Sequence, residues 1–404
     1  MRNAIRGCAV AALMVGAGGA SAGGLWLNEF GDFAGGRAAA GAAAGVDEAM
    51  TIAYNPASIA RLKGNQLFFS AGAVVPEMKF DTSYTTQRLG SVNGGDAGEV
   101  AAYSSMAYVH DFDSDRWSAG IGLVPLSGAR IDYDDNWVGR RQATEVSLTL
   151  MALAPTLAYQ VTKELSLGVT VQAYYSSLEI KTAIPSLNPN NADGEGKIDG
   201  NDVDVGFTLG AVYELSDRTR FGVFYQSELE PKYDGELKTN PANLSFDTQT
   251  KLTFGEYARF AVHQDMDERW GVDFTVGWDN WSALGNVPLN TENRGVAIPA
   301  RWEDTYHVAW GTQYQLDRNW ALTAGVAYDS RPVNAFSRNA QLPIDEQIRY
   351  AAGARYAISD TLTVGGYANY ADLGKARISS QRWGGDFGDA NSALQLIANV
   401  NWTF

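Results

Sequence analysis

Three histidines, one cysteine and one acidic loop are the groups in this 404-residue chain that could support catalysis or bind a metal. A nucleophilic or metal site needs such groups converging on one point. His110, His263 and His307 fall on separate alternating segments with no i,i+4 pairing. A Ser–His hydrolase at a membrane surface would need a histidine on the outward rim beside a serine. Only His307 is placed for that, since His110 and His263 lie near short turns. All three read as structural polar positions. Asn191-Ala192-Asp193-Gly194-Glu195-Gly196, followed by Ile198, Asp199 and Asp202, partly matches a calcium loop. Its first position is Asn, its last is Asp202 rather than a bidentate Glu, and its flanks are strand-like, so a solvated acidic loop is expected. Gly120-x-Gly122 precedes no helix and gives nucleotide binding no support. No catalytic residue, metal or cofactor is expected.

The elements around these groups are of one kind. Arg2 and Arg6 precede a small, apolar run from Cys8 to Ala22 that ends Ala20-Ser21-Ala22, so residues 1–22 read as a cleaved secretory signal. Its loss removes the only cysteine and takes the net charge from -15 to -17. The mature chain then has no disulfide framework and no basic footprint for nucleic acid. After it, alternation dominates. Leu165, Leu167, Val169, Val171, Ala173 and Tyr175 share one face, with Ser166, Gly168, Thr170 and Gln172 on the other. Trp320 to Tyr328 and Leu394 to Phe404 repeat the pattern. A soluble sandwich also alternates, but its strands average about 5–6 residues. These run to 9–12 and carry aromatics near their ends, the length and girdle of tilted transmembrane strands.

Turn spacing gives the count. Short polar turns at 113–116, 162–164, 216–219, 266–269, 317–319 and 359–360 alternate with longer connections near 82–98, 127–145, 182–202, 236–249, 284–302, 331–347 and 377–391. Fourteen antiparallel strands result, with both barrel ends on the short-turn, periplasmic side. The expected division is signal peptide 1–22, an N-terminal plug 23–64 inside the lumen, and an all-β barrel 65–404. The plug follows from Leu25, Trp26, Leu27, Phe30, Phe33, Ile52 and Ile59, which a solvated tail would not carry, and from the small-residue run Ala38 to Gly45. A lumen of that width is not filled by side chains alone.

Gly24-Leu25-Trp26-Leu27-Asn28-Glu29-Phe30, Gly36-Arg37-Ala38 and Asn55-Pro56-Ala57 resemble the hatch of the FadL family of outer-membrane transporters for long-chain fatty acids and hydrocarbons. Asp134 to Arg140, Trp278 to Ser282, Trp302 to Tyr306, Tyr328 to Val333 and Asp372-Leu373-Gly374 continue the likeness in family order. The resemblance implies capture of a hydrophobic molecule outside, an apolar internal pocket, hatch rearrangement, and release sideways into the outer membrane. Asn28, Glu29, Phe30, Arg37, Asn55, Pro56 and Ala57 would belong to the hatch. The family's wall opening lies at a kinked third strand, here about Trp117 to Leu126 with Gly120, Gly122 and Pro125. Pro125 reads equally as a strand end. Fatty-acid members place basic residues inside the barrel, whereas the matching positions here are Thr182 and Glu303. Arg140, Arg141 and Lys181 lie near enough to substitute, or are rim charges. The expected function is passive uptake of hydrophobic compounds by a monomer in contact with outer-membrane lipid and lipopolysaccharide. A general aqueous porin and an outer-membrane lipid hydrolase are the alternatives.

Overall fold

The computed structural model describes residues 24–86, 92–112, 116–185, 192–240, 244–291 and 294–404. The proposed signal, with Cys8, lies outside them. The alternating segments are strands, and their burial is inverted relative to a soluble protein. Leu167, Val169 and Val171 are exposed, while Ser166, Thr170 and Gln172 on the opposite face are buried. In water that arrangement would leave apolar area unburied at roughly 25 cal/mol per Å². It is the arrangement of a barrel whose outside meets lipid and whose inside is polar.

Fourteen antiparallel strands close into the barrel. They are β1 (Gln66–Met78), β2 (Ala101–Asp111), β3 (Trp117–Asp132), β4 (Glu145–Gln160), β5 (Leu165–Ile184) and β6 (Gly194–Ser216). Four interrupted strands follow: β7 (Thr219–Gln226, Lys232–Asn240), β8 (Leu244–Lys251, Tyr257–Asp265), β9 (Trp270–Asp279, Asn286–Thr291) and β10 (Arg294–Pro299, Thr305–Gln315). β11 (Trp320–Asp329), β12 (Gln347–Ala357), β13 (Leu362–Asp372) and β14 (Asn391–Thr403) complete the wall, and β14 pairs with β1 from Gln66↔Thr403 to Met78↔Asn391. At the short-turn end Trp117 packs on Tyr159, Trp270 on Tyr314 and Trp320 on Tyr356, with centroids 4.5–4.8 Å apart. These cross-strand pairs form one interfacial girdle.

Two of the short turns are built by their acids, and three by the hydroxyls of Thr162, Ser216 and Ser359. Asp267 Oδ1 accepts from the amides of Arg269 (2.7 Å) and Trp270 (2.8 Å), and Asp317 repeats this with Asn319 and Trp320. Those amide bonds hold both carboxyls below their ordinary range. A depressed carboxyl contributes stability above its unfolded pKa and loses it as pH falls through the folded value. Acidification through the carboxylate range should therefore lower the hydrogen-exchange protection of the Trp270 and Trp320 amides, relative to their intrinsic rates at each pH, before the strands respond. Equal protection at neutral and acid pH would contradict this.

Three expected long loops are largely strand. Among the described residues, 182–184 with 194–202, 236–240 with 244–249, and 286–291 with 294–299 continue β5–β6, β7–β8 and β9–β10 beyond the lipid band, as in the register Leu178↔Gly200 to Ile184↔Gly194. Hydrogen-bond ladders carry on into solvent where neither face needs to be apolar. Elsewhere the outer loops pack together: Phe80, Tyr133, Trp137, Trp383 and Phe387 form a buried aromatic cluster over the mouth.

Residues 24–64 lie against the inner wall as short 3-10 turns, Phe33–Arg37, Ala42–Ala44, Ala49–Ala53 and Pro56–Arg61. They bond to inward-facing side chains all round the barrel. Gly41 N–H donates to Thr275 Oγ1, Ala49 N–H to Asn401 Oδ1, and Asn399 Nδ2 to Gly31 O.

Candidate functional site

The wall is not continuous. β2 pairs with β3 only from Met106↔Leu123 to Asp111↔Ser118, although β2 stays paired with β1 up to Val74↔Ala101. β3 meanwhile continues beside β4 to Asp132↔Glu145, with a register shift between Pro125 and Ser127 that leaves Leu126 unpaired. Residues 101–105 and 124–130 therefore face each other without a ladder, until Gly98 bridges Ile131 and Asp132 N–H reaches Ala97 O. The cause is local: Pro125 has no N–H to donate, and the extra residue bends the strand away. Pro125 does not end the strand, which runs six residues beyond Leu126 to Asp132. Gly120 and Gly122 lie below the break, where a Cβ would meet Ile52 at 3.1 and 3.2 Å.

The segment Leu25 to Phe30 crosses the inner side of this break and is bonded to both edges. On β3, Ser127 Oγ donates to Leu25 O (2.6 Å), and Leu27 N–H donates to Leu126 O (3.0 Å). On β2, Tyr103 OH donates to Glu29 O (2.9 Å) and Ser105 Oγ to Phe30 O (2.6 Å). Two cavities of about 30 Å³ lie in this region, and the segment itself lines the second. One sits at the break, lined mostly by apolar residues such as Val74, Ala101, Ile131 and Leu342, together with Glu99 and Arg130. The other lies deeper, against Leu27, Phe30, Phe224, Tyr257, Arg259 and His307. Ligand pockets usually measure about 300–1,000 Å³, so neither admits cargo without movement. A larger cavity of about 280 Å³ opens at the short-turn end, but Arg37, Asp47, Arg220, Asp265 and Arg355 line it, a poor solvent for apolar cargo.

Asn28, Glu29, Phe30, Arg37, Asn55, Pro56 and Ala57 are all buried against the wall. Phe30 stacks edge-on to Tyr54, and Arg37 donates to Ala40 O and Gln313 Oε1 and faces Asp273. Asn55 Oδ1 accepts from Ala57 N–H, and its Nδ2 donates to the carbonyls of Ala43, Ala211 and Val223. Three neighbouring strands are smoothed to receive it. A Cβ at Gly168, Gly210 or Gly222 would lie 2.3, 1.9 or 1.8 Å from Ala57 N, Asn55 Oδ1 or Ala43 O. These glycines allow close approach of the inner segment to the wall.

Arg140, Arg141 and Lys181 sit together at the outer end, each against an acid. Arg140 Nε and Arg141 Nη2 lie 2.9 and 3.2 Å from Asp193, and Lys181 pairs with Glu145 and Glu179. Burial would raise the Asp193 carboxyl, but hydrogen bonds from Arg141 and Arg140 outweigh it and hold it low. They clamp two outer connections; Arg141 lines an outer cavity with Val138 and Trp383, and none of the three lines the two small cavities near residues 25–30. Asn191 of the candidate calcium loop lies outside the described residues; from Gly194 onward the loop is β-ladder, which sends alternate side chains to opposite faces, and the described residues hold no cluster of three or more metal-ligating side chains.

Sequence reading missed the buried ionic residues. Arg349 lies 3.0 Å from Asp329 and 3.2 Å from Glu29, and in its hydrogen-bonding orientation the Asn28 amide oxygen accepts from the same guanidinium. His307 Nδ1 meets Asp329 at 2.8 Å, and Arg259 Nη2 meets Asp279 at 2.9 Å. His263 sits between Asp273 and Asp265, and His110 bonds Tyr108. Charged residues at mid-strand on the polar face, such as Arg259 and His263 of β8, were the available signal.

Residues 13–404 match a protein family described as outer membrane protein transport protein (OMPP1/FadL/TodX). The chain is 24% identical to the long-chain fatty acid transport protein of Escherichia coli strain CFT073, over 94% of each. Its fold is similar to the crystal structure of a Pseudomonas aeruginosa FadL homologue, with TM-score 0.85, 20% identity, and coverage of 94% of this chain and 100% of that one. It is also similar to the Pseudomonas putida toluene transporter TodX, with TM-score 0.65, 18% identity and coverage of 87% and 92%.

Proposed function

The chain belongs to the outer membrane protein transport family (OMPP1/FadL/TodX), and we propose how this outer-membrane transporter moves hydrophobic compounds. Residues 24–64 act as a hatch. Cargo captured at the outer face enters the apolar cavity at the wall break, and withdrawal of Leu25 to Phe30 joins that cavity to the deeper one. Cargo then leaves between β2 and β3 into lipid. The observation that carries this reading is the unpaired stretch of wall, 101–105 against 124–130, with an apolar cavity behind it and one removable segment across it.

The energetics favour such a route. An apolar solute gains roughly 25 cal/mol per Å² on leaving water for a greasy cavity, and sideways exit never returns it to water. Diffusion down the gradient suffices. The curated relative is named a fatty-acid transporter and a structural neighbour a toluene transporter, so both cargo types are compatible with the fold. The filled lumen argues against a general aqueous porin, and the His307–Asp329 pair stands within an ion network rather than beside an activated serine.

A photoactivatable alkane supplies the test. Irradiation should label the stretch from Ala129 to Ile131 and the Leu342 loop. Labelling confined to the lipid-facing band would sink the lateral route.

A further inference from the structure

Cargo of this family can be charged or neutral at one end, and the deeper cavity bears on which this chain accepts. Beside its apolar wall of Leu27, Phe30, Phe224 and Tyr257 lie Arg259 and His307, with Arg349 behind Asn28. Both guanidiniums are already committed. Arg259 Nη2 holds Asp279 at 2.9 Å, its Nη1 donates to Ala258 O and Trp278 O, and its plane lies over the Tyr257 ring at 4.6 Å. Arg349 holds Asp329 and Glu29, and Asn28 takes its remaining donors. Three buried carboxylates thus face two guanidiniums, with His307 hydrogen-bonded to one of the acids. Oxygen atoms of Glu29, Asp279 and Asp329 are themselves short of donors.

We propose that Asp279 and Glu29 are specificity-determining counter-ions: they occupy the cationic faces a ligand carboxylate would need, so the site takes uncharged hydrophobic compounds, hydrocarbons or esters, and rejects ionised fatty acids. This rests on the transport reading above and names its substrate class. A buried anion is tolerated only where charge and donors await it. Here an incoming carboxylate meets guanidiniums already ion-paired, with one buried atom, Arg349 Nε, left without a hydrogen-bond acceptor, beside three buried carboxylates, and specificity arises from that repulsion as much as from greasy contact. Glu29 belongs to the segment that spans the wall break, so the same ion pair that rejects acids also helps hold the hatch shut.

The test is displacement of a fluorescent apolar probe from the purified full-length protein at alkaline pH, comparing palmitate with methyl palmitate. Wild type should favour the ester by about tenfold or more, about 1.4 kcal/mol. Asp279→Asn, which keeps shape and removes charge, should narrow that ratio by strengthening palmitate. Glu29→Gln should act in the same direction and serves if Asp279→Asn does not fold. Palmitate binding wild type as well as the ester overturns the proposal and leaves the transport reading standing. Failure of both compounds to displace the probe overturns both.

Discussion

Gly222→Val should open the barrel to ions. The new Cβ would stand 1.8 Å from Ala43 O, 2.3 Å from Ala43 C and 2.6 Å from Ala44 N, all backbone atoms that cannot turn aside. The inner segment must shift, and Ala43 O is also the closest acceptor of Asn55 Nδ2, at 2.6 Å. Overpacking costs about 1–3 kcal/mol, and each buried donor left unmade adds roughly 1–3. That is enough to unseat a segment held by such bonds while the barrel ladder persists. In planar bilayers the variant should conduct steadily where wild type conducts little. Val223→Ala supplies the control, since Val223 is 53% exposed on the lipid face and should change nothing. Wild-type conductance from Gly222→Val would show that the segment is not seated on this wall.

Closing the wall should abolish transport. Pro125→Val restores a donor, and deleting Leu126 removes the residue that breaks the register with β4. Val124 and Ser127 are both buried, so the deletion restores their alternation about residue 125 instead of turning the strand over. With the bulge gone, β3 can extend its ladder along residues 101–105 of β2. Uptake of a labelled hydrocarbon should fall to that of cells lacking the protein, with the barrel still folded. Filling Gly120 and Gly122 would be a poorer test, because a side chain there would press on Ile52 of the inner segment. Unchanged uptake in a folded, closed-wall variant would place the exit elsewhere.

The strands were legible because lipid forces alternation: Leu167, Val169 and Val171 had to face outward, and Ser166, Thr170 and Gln172 inward. The same logic explains what was missed. Beyond the lipid band β5 and β6 run with both faces polar, so residues 194–202 read as loop. Arg140, Arg141 and Lys181 were selected for position in sequence, yet their acids, Asp193 and Glu145, lie across separate elements that spacing does not reveal. Arg259, Asp279, Arg349 and Asp329 come together from β8, β9, β12 and β11, and only the closed barrel sets them beside Glu29. Pro125 lies at the register shift of β3, and the extent of the unpaired stretch needed the register of three strands.

The central claim is passive delivery of hydrophobic compounds through this barrel. Its most direct measurement is the initial uptake rate of a labelled alkane by cells with and without the protein, before and after the proton-motive force is collapsed. The account predicts faster uptake with the protein, and the same acceleration in de-energised cells. No acceleration in either state would contradict it.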